Sequence, residues 1–155
     1  MTLKDELKMS GNFRSQRQEA LLSLMRTQAV LEPAFNRVFS FYGLTNAQFN
    51  ILRILKGNRG SKGMACSDIG SRLISRDSDV TRLVDRLVKS DLAERHRPEE
   101  DRRKVLVQIT SEGKELIEKL LPLLKVEEER ALGHMTQKDL LALIQLLDRV
   151  REPHI

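Results

Sequence analysis

Between about Ser15 and Phe41, Leu21, Leu22, Leu24, Met25, Ala29, Leu31, Phe35, Val38 and Phe39 recur at the three- and four-residue spacing of a helix face. The spacing predicts one long amphipathic helix closed at Gly43. A bend near Ala29–Pro33 is expected, because a proline removes a backbone donor and crowds the preceding turn. The stretch "LTNAQFNILRILKG" opens on Thr45 with Gln48 three residues later, a capping-box pair, and Phe49, Ile51, Leu52, Ile54 and Leu55 form its apolar stripe up to Gly57. "NRGSKGM" reads as a polar turn. A short helix from about Cys66 to Leu73 follows, with Ile69 and Leu73 inward. The pattern then predicts a helix from Ser75 to Ser90, with Ser75 as N-cap and Asp77 in the first turn. Val80, Leu83, Val84, Leu87 and Val88 make its apolar face; Arg76, Ser78, Asp79, Thr81, Arg82, Arg86 and Lys89 lie mostly on the other.

After this helix the period falls from about 3.6 to 2. "LAERHR" and "KVLVQIT" read as two short strands, with Val105, Val107 and Ile109 on one face. The loop between them, "RPEEDRR", carries acids and bases side by side. Asp101 is expected to pair with a nearby arginine, Arg103 foremost, and so order the hairpin tip, leaving Arg102 pointing outward. Glu99 and Glu100 are expected to turn toward solvent. Thr110 is placed to cap a helix through "SEGKELIEKLLPLLKVEEERAL", with a bend at Pro122. Thr136, with Asp139 in the capping-box position, opens a final amphipathic helix.

Composition narrows the class. The chain has 155 residues, enough for one domain with helical extensions, and a net charge of +5 that favours polyanionic partners. One cysteine, Cys66, excludes an internal disulfide framework and fits a reducing cytoplasm. The first residues hold no apolar signal core, and no apolar run reaches the roughly 20 residues of a membrane span. His96, His134 and His154 fall in separate elements without ligand spacing, so no metal site is expected. No nucleophile–base pair or phosphate-binding loop stands out, and an enzyme is not expected. The first and last helices carry more apolar face than so small a module covers, which points to a homodimer.

Two short helices and then a β-hairpin is the order of a winged helix-turn-helix, in which the second helix enters the major groove of DNA and the hairpin reaches the flanking backbone or minor groove. From "GLTNAQFNILRIL" through "CSDIGSRLISRDSDVTRLVDRLVKSDLAERHRPEEDRRKVLVQITSEGKEL" the chain resembles the MarR family of bacterial transcriptional regulators, over about Gly43 to Leu116. The resemblance implies a mainly α (α+β) fold: a single domain over 1–155, with a winged helix-turn-helix at about 45–110 and dimerisation helices at about 10–42 and 111–152. It further implies a cytoplasmic homodimer that binds double-stranded DNA at a pseudo-palindromic operator, with repression (the preferred reading) or activation tuned by a small phenolic or anionic effector or by oxidation, and with no cofactor and no membrane. Its DNA contacts fall on Arg76, Ser78, Asp79, Thr81 and Arg82, with Arg86 toward phosphate and Arg102 and Arg103 in the wing; the acidic character of "SRDSDVTRL" sets Asp77 and Asp79 apart from many relatives.

Other readings stay open on the sequence. The polar helix face could dock a protein instead of DNA, or the protein could bind DNA with no effector at all. Cys66, at a helix start, is a candidate thiol sensor, against the plainer reading of a partly buried packing residue. Met25, Phe39, Phe41 and Tyr42 form a candidate effector pocket, against ordinary core or interface packing.

Overall fold

The computed structural model describes residues 2–58, 62–75 and 79–154. After a short helix α1 (Leu3–Glu6), capped by Thr2, the chain enters α2 (Gln16–Phe41), where the Ser15 hydroxyl accepts from the Gln18 amide at 3.2 Å. The helix continues unbroken through Pro33, as α6 (Ser111–Leu132) does through Pro122, so neither expected bend interrupts its helix. Gly43 closes α2 in the left-handed region at φ 69°. Its amide bonds to the Ser40 carbonyl and that of Leu44 to the Phe39 carbonyl, both at 3.0 Å. This is a complete Schellman closure, with buried Phe39 and Leu44 as its apolar pair.

Helix α3 (Asn46–Gly57) is the centre of the molecule. Thr45 and Gln48 form the expected capping box, with Thr45 N donating to Gln48 Oε1 at 2.9 Å and Gln48 N to Thr45 Oγ1 at 3.2 Å. Phe49, Ile51, Leu52, Ile54 and Leu55 are buried against Ile69, Val84, Leu87, Val107, Ile117 and Leu120, one core that draws on every element of the winged module and on α6. Ile51 and Leu52 expose nothing, so truncating either to alanine would cost about 2–5 kcal/mol.

Helix α4 (Cys66–Ser71) turns Ile69 inward and stops two residues before Leu73, which packs at the core edge. Helix α5 (Val80–Lys89) corrects the expected start: its N-cap is Asp79, whose carboxylate accepts from the Arg82 amide at 3.1 Å, and not Ser75. Both residues are good cap types, but it is the Asp79 side chain that accepts from a first-turn amide, and Val84 and Leu87 face the core as expected. Asp77, expected in the first turn, lies outside the described residues.

Strands β1 (Ala93–His96) and β2 (Leu106–Ile109) pair antiparallel with Ala93 opposite Ile109. Val107 and Ile109 face the core as expected; Val105 does not, lying before the strand and 40% exposed. The stretch read as a plain turn supplies a third short partner, because Met64 and Val107 exchange backbone hydrogen bonds at 2.9 and 2.8 Å.

The end of α5 and the start of α6 meet in one joint. Asp91 takes the left-handed conformation at φ 58°, and the Leu92 amide bonds back to the Leu87 carbonyl at 2.9 Å. Thr110 caps α6 by accepting from Gly113 N at 3.0 Å, while its hydroxyl donates to the Asp91 carbonyl at 2.7 Å and its amide to the Leu92 carbonyl at 3.2 Å. Gly113 permits that approach: a Cβ there would stand 2.2 Å from the Leu92 carbonyl oxygen. Helix α7 (Gln137–Arg151), with the Thr136–Asp139 capping box, buries no residue.

Candidate nucleic-acid interface

With Val84 and Leu87 in the core, α5 turns Thr81, Arg82, Asp85, Arg86 and Lys89 to solvent. Asp79 sits at the head of this face with its carboxylate engaged as the cap and 4.0 Å from the Arg82 guanidinium. Arg76 and Ser78 lie outside the described residues. Beside α5 the hairpin loop presents Arg97, Arg102, Arg103 and Lys104, all exposed. The reading of the sequence singled out Arg82, Arg86, Arg102 and Arg103 but passed over Arg97 and Lys104, which the run "RPEEDRRK" already displays.

The loop is organised by its acids. Asp101 and Lys104 close a turn through a 3.1 Å bond from Lys104 N to the Asp101 carbonyl. The Asp101 carboxylate accepts from Arg103 N at 3.2 Å and Arg103 Nε at 3.3 Å, with Lys104 Nζ at 3.9 Å. An aspartate at the first position of a turn, bonding its own backbone two residues on, is a recurrent turn-stabilising arrangement. Glu100 does not simply face solvent: it pairs with Lys62, and that hydrogen bond holds its carboxyl below the ordinary value of 4.5. This ion pair and the Met64–Val107 bridge together tie the 62–64 segment to the hairpin.

Arg95 joins the two parts of the face. It pairs with Asp85 and donates from Nη2 to the Thr81 carbonyl at 3.4 Å, so a strand residue grips α5 at two points one turn apart. Between helix and hairpin lies a groove of ≈ 570 Å³ lined by Cys66, Thr81, Arg95, His96, Arg97 and Val105. Cys66 is half-buried there. His96 Nδ1 is buried without a partner among the described residues. Among those residues no three His, Cys, Asp or Glu side chains are grouped to hold a metal ion.

The expected effector residues are not brought together. Met25 is 59% and Phe41 83% exposed, and the Phe41 ring meets the edge of Tyr42, at 5.2 Å between ring centroids. A cavity of ≈ 660 Å³ instead opens between α2, α3, α6 and the Ile74–Ser75 segment, and Phe39 alone of the four lines it. Its polar side is a chain along α3: Arg53 Nη2 donates to Asn50 Oδ1 at 3.1 Å, and Asn50 Nδ2 to Asn46 Oδ1 at 3.2 Å. Polar residues at that spacing in an otherwise apolar helix were the signal for this site in the sequence.

Residues 34–120 match the family model described as Transcriptional regulator SarA/Rot. A MarR transcription factor from Planctomyces limnophilus is 36% identical, with a TM-score of 0.67 over 88% of this chain and 98% of its own. This chain is a MarR-family winged-helix transcriptional regulator. The HTH-type transcriptional regulator PecS of Dickeya dadantii is 31% identical over 86% of this MarR-family chain and 80% of its own length. At the level of fold alone, Bordetella bronchiseptica BpsR, whose DNA binding is regulated by 6-hydroxynicotinic acid, superposes with a TM-score of 0.76 over 90% of this chain and 97% of its own at 24% identity. These matches place the protein among regulators of transcription and not among enzymes. No helix among its described residues is long and apolar enough to cross a membrane.

Proposed function

We propose that the protein is a cytoplasmic homodimeric repressor that reads a pseudo-palindromic operator and is released by a small molecule. The observation that carries the DNA-binding part is the joint display of Arg82 and Arg86 on the outer face of α5 and Arg102 and Arg103 at the hairpin tip. A helix is about 10–12 Å across and the major groove about 12 Å wide, so α5 can enter while the hairpin lies along the backbone. Thr81 and Arg82, with Arg76 and Ser78 before them, are assigned to base edges and Arg86 to phosphate; Asp79 serves the face by capping the helix. Asp101 orders the wing. The winged module at about 45–110 does the reading, and the helices at about 10–42 and 111–152 form the dimer.

Dimerisation is supported by the apolar surface that α2, α6 and α7 leave uncovered, including Leu21, Met25, Val126, Leu141, Ile144 and Val150. Apolar side chains left uncovered along three helices favour a partner that covers them. Release by an effector is supported by the cavity between α2, α6 and the reading module, whose volume suits a small organic molecule.

The test is fluorescence anisotropy of a duplex selected by the protein from a random pool, titrated across a salt series. Each neutralised phosphate adds about 0.9 to the slope of log affinity against log salt, so the affinity should fall steeply. Arg102→Ala should weaken binding and reduce the slope by about one. An affinity indifferent to salt would overturn the DNA reading in favour of a protein-docking face.

A further inference from the structure

The ion pair of Lys62 with Glu100 joins the segment before Met64 to the hairpin loop across 38 residues of chain. It is not what keeps that segment in place. Met64 and Val107 already exchange two backbone hydrogen bonds, at 2.9 and 2.8 Å. Gly63, at φ 112°, lies so close to the strand that a Cβ there would stand 2.8 Å from the Val107 carbonyl oxygen. The two side chains are 69% and 64% exposed, and an ion pair so open to solvent adds little stability of its own. Its effect lies in what it does to charge at the surface.

Lys62, Pro98 and Glu100 line two hollows at once. One, of ≈ 490 Å³, also reaches Lys104; the other, of ≈ 290 Å³, also reaches Arg97. Lys62 therefore neighbours two exposed cations of the hairpin, on the side of the molecule read above as lying along the DNA backbone. The acids beside them are committed differently. Asp101 accepts from Arg103 and shapes the turn. Glu100 is committed to Lys62: that hydrogen bond first, and then its own backbone amide, holds its carboxyl below 4.5, so it is ionised at neutral pH. An ammonium that donates to a full carboxylate charge has correspondingly little attraction left for a phosphate.

We propose that Lys62 is a DNA-backbone contact withheld by Glu100, so that Glu100 limits the affinity of the protein for any duplex. The paired lysine adds no net charge to the wing; released, it extends the row formed with Arg97 and Lys104 by one cation. The inference rests on the DNA-binding reading above.

Fluorescence anisotropy with a random-sequence duplex across a salt series tests it. Glu100→Gln frees Lys62, so the slope of log affinity against log salt should steepen by about 0.9, and binding at about 0.15 M salt should tighten about fivefold. The selected duplex should tighten by the same factor, because a phosphate contact carries no sequence information. Two comparisons separate a freed lysine from the mere loss of a negative charge. Glu99→Gln makes the same change of charge one residue away, at an exposed acid with no cation partner among the described residues. Glu100→Gln in a Lys62→Gln background makes it where there is no lysine to free. Each should give less than about half the steepening that Glu100→Gln gives alone. An unchanged slope for Glu100→Gln, a larger share of its steepening in either comparison, or tightening confined to the selected duplex would overturn the proposal. Failure of the wild-type protein to bind duplex DNA in a salt-dependent way would instead overturn the reading beneath it.

Discussion

Replacing Gly113 with alanine should destabilise the protein although it puts a better helix former into a helix. Propensity alone favours alanine over glycine by about 1 kcal/mol. The added Cβ, however, would stand 2.2 Å from the Leu92 carbonyl oxygen, 2.7 Å from Ile109 Cγ1 and 3.2 Å from the Leu92 carbonyl carbon. Two of these are backbone atoms, so no flexible side chain can swing aside. Relief requires α6 to retreat from the end of α5, which breaks the Thr110 bonds to the Asp91 and Leu92 carbonyls, now 2.7 and 3.2 Å. Overpacking costs about 1–3 kcal/mol and each lost hydrogen bond about 0.5–1.5 kcal/mol, so after the propensity gain the net loss centres near 3 kcal/mol. Urea denaturation at fixed protein concentration reads this as a midpoint lowered by about 1.5 M for an m value of about 2 kcal/mol/M. Gly57→Ala is the control, since nothing lies within 4 Å of its added Cβ. If Gly113→Ala proves as stable as wild type or more so, the close approach of α6 to the end of α5 is not as described.

Asp101→Ala should bind DNA more weakly at physiological salt even though it removes a negative charge from the surface. The turn that holds Arg103 and Lys104 loses its ordering, a term of about 0.5–1.5 kcal/mol per side chain against a weaker screened repulsion; tighter binding across a salt series would contradict this. The Glu100 carboxyl should titrate below 4.5, so its contact with Lys62 is present at neutral pH and lost only as pH falls through that lowered value. Carbon-detected NMR reads the titration, and Lys62→Ala should raise it toward the ordinary value. Cys66→Ser should leave any release of DNA by peroxide unchanged, since the thiol sits half-buried and without a second cysteine; a gel shift showing wild-type release that the variant lacks would make Cys66 a sensor.

What could be read from the sequence was what local chemistry decides. The Thr45–Gln48 pair, Thr110 and the Thr136–Asp139 pair all cap the helices they announce, because a cap and its amide lie within three residues. Ser75 reads as the cap of α5 in the sequence, but the cap is Asp79, four residues further on. Val105 continued the alternation of its strand, but the turn built on Asp101 delays pairing until Leu106. The Asp101–Arg103 pair was legible because it is local. The Lys62–Glu100 pair spans 38 residues and the Met64–Val107 bridge more, and nothing in either short stretch names its partner. The cavity was missed for the same reason, its aromatic and polar sides coming from α2 and α3 and its rim from Ile74.

The joint at Thr110 also makes α6 a lever. The helix has 22 residues and so extends about 33 Å from a fulcrum consisting of one threonine hydroxyl, one aspartate carbonyl and a missing methyl group. A rotation of about 5° at the fulcrum sweeps the far end through about 3 Å, more than a hydrogen bond or a packed side chain tolerates. The atoms of the first turn therefore hold the helix angle together with Ile117, Leu120 and Leu124, buried further along it, and a larger side chain at position 113 would shift it.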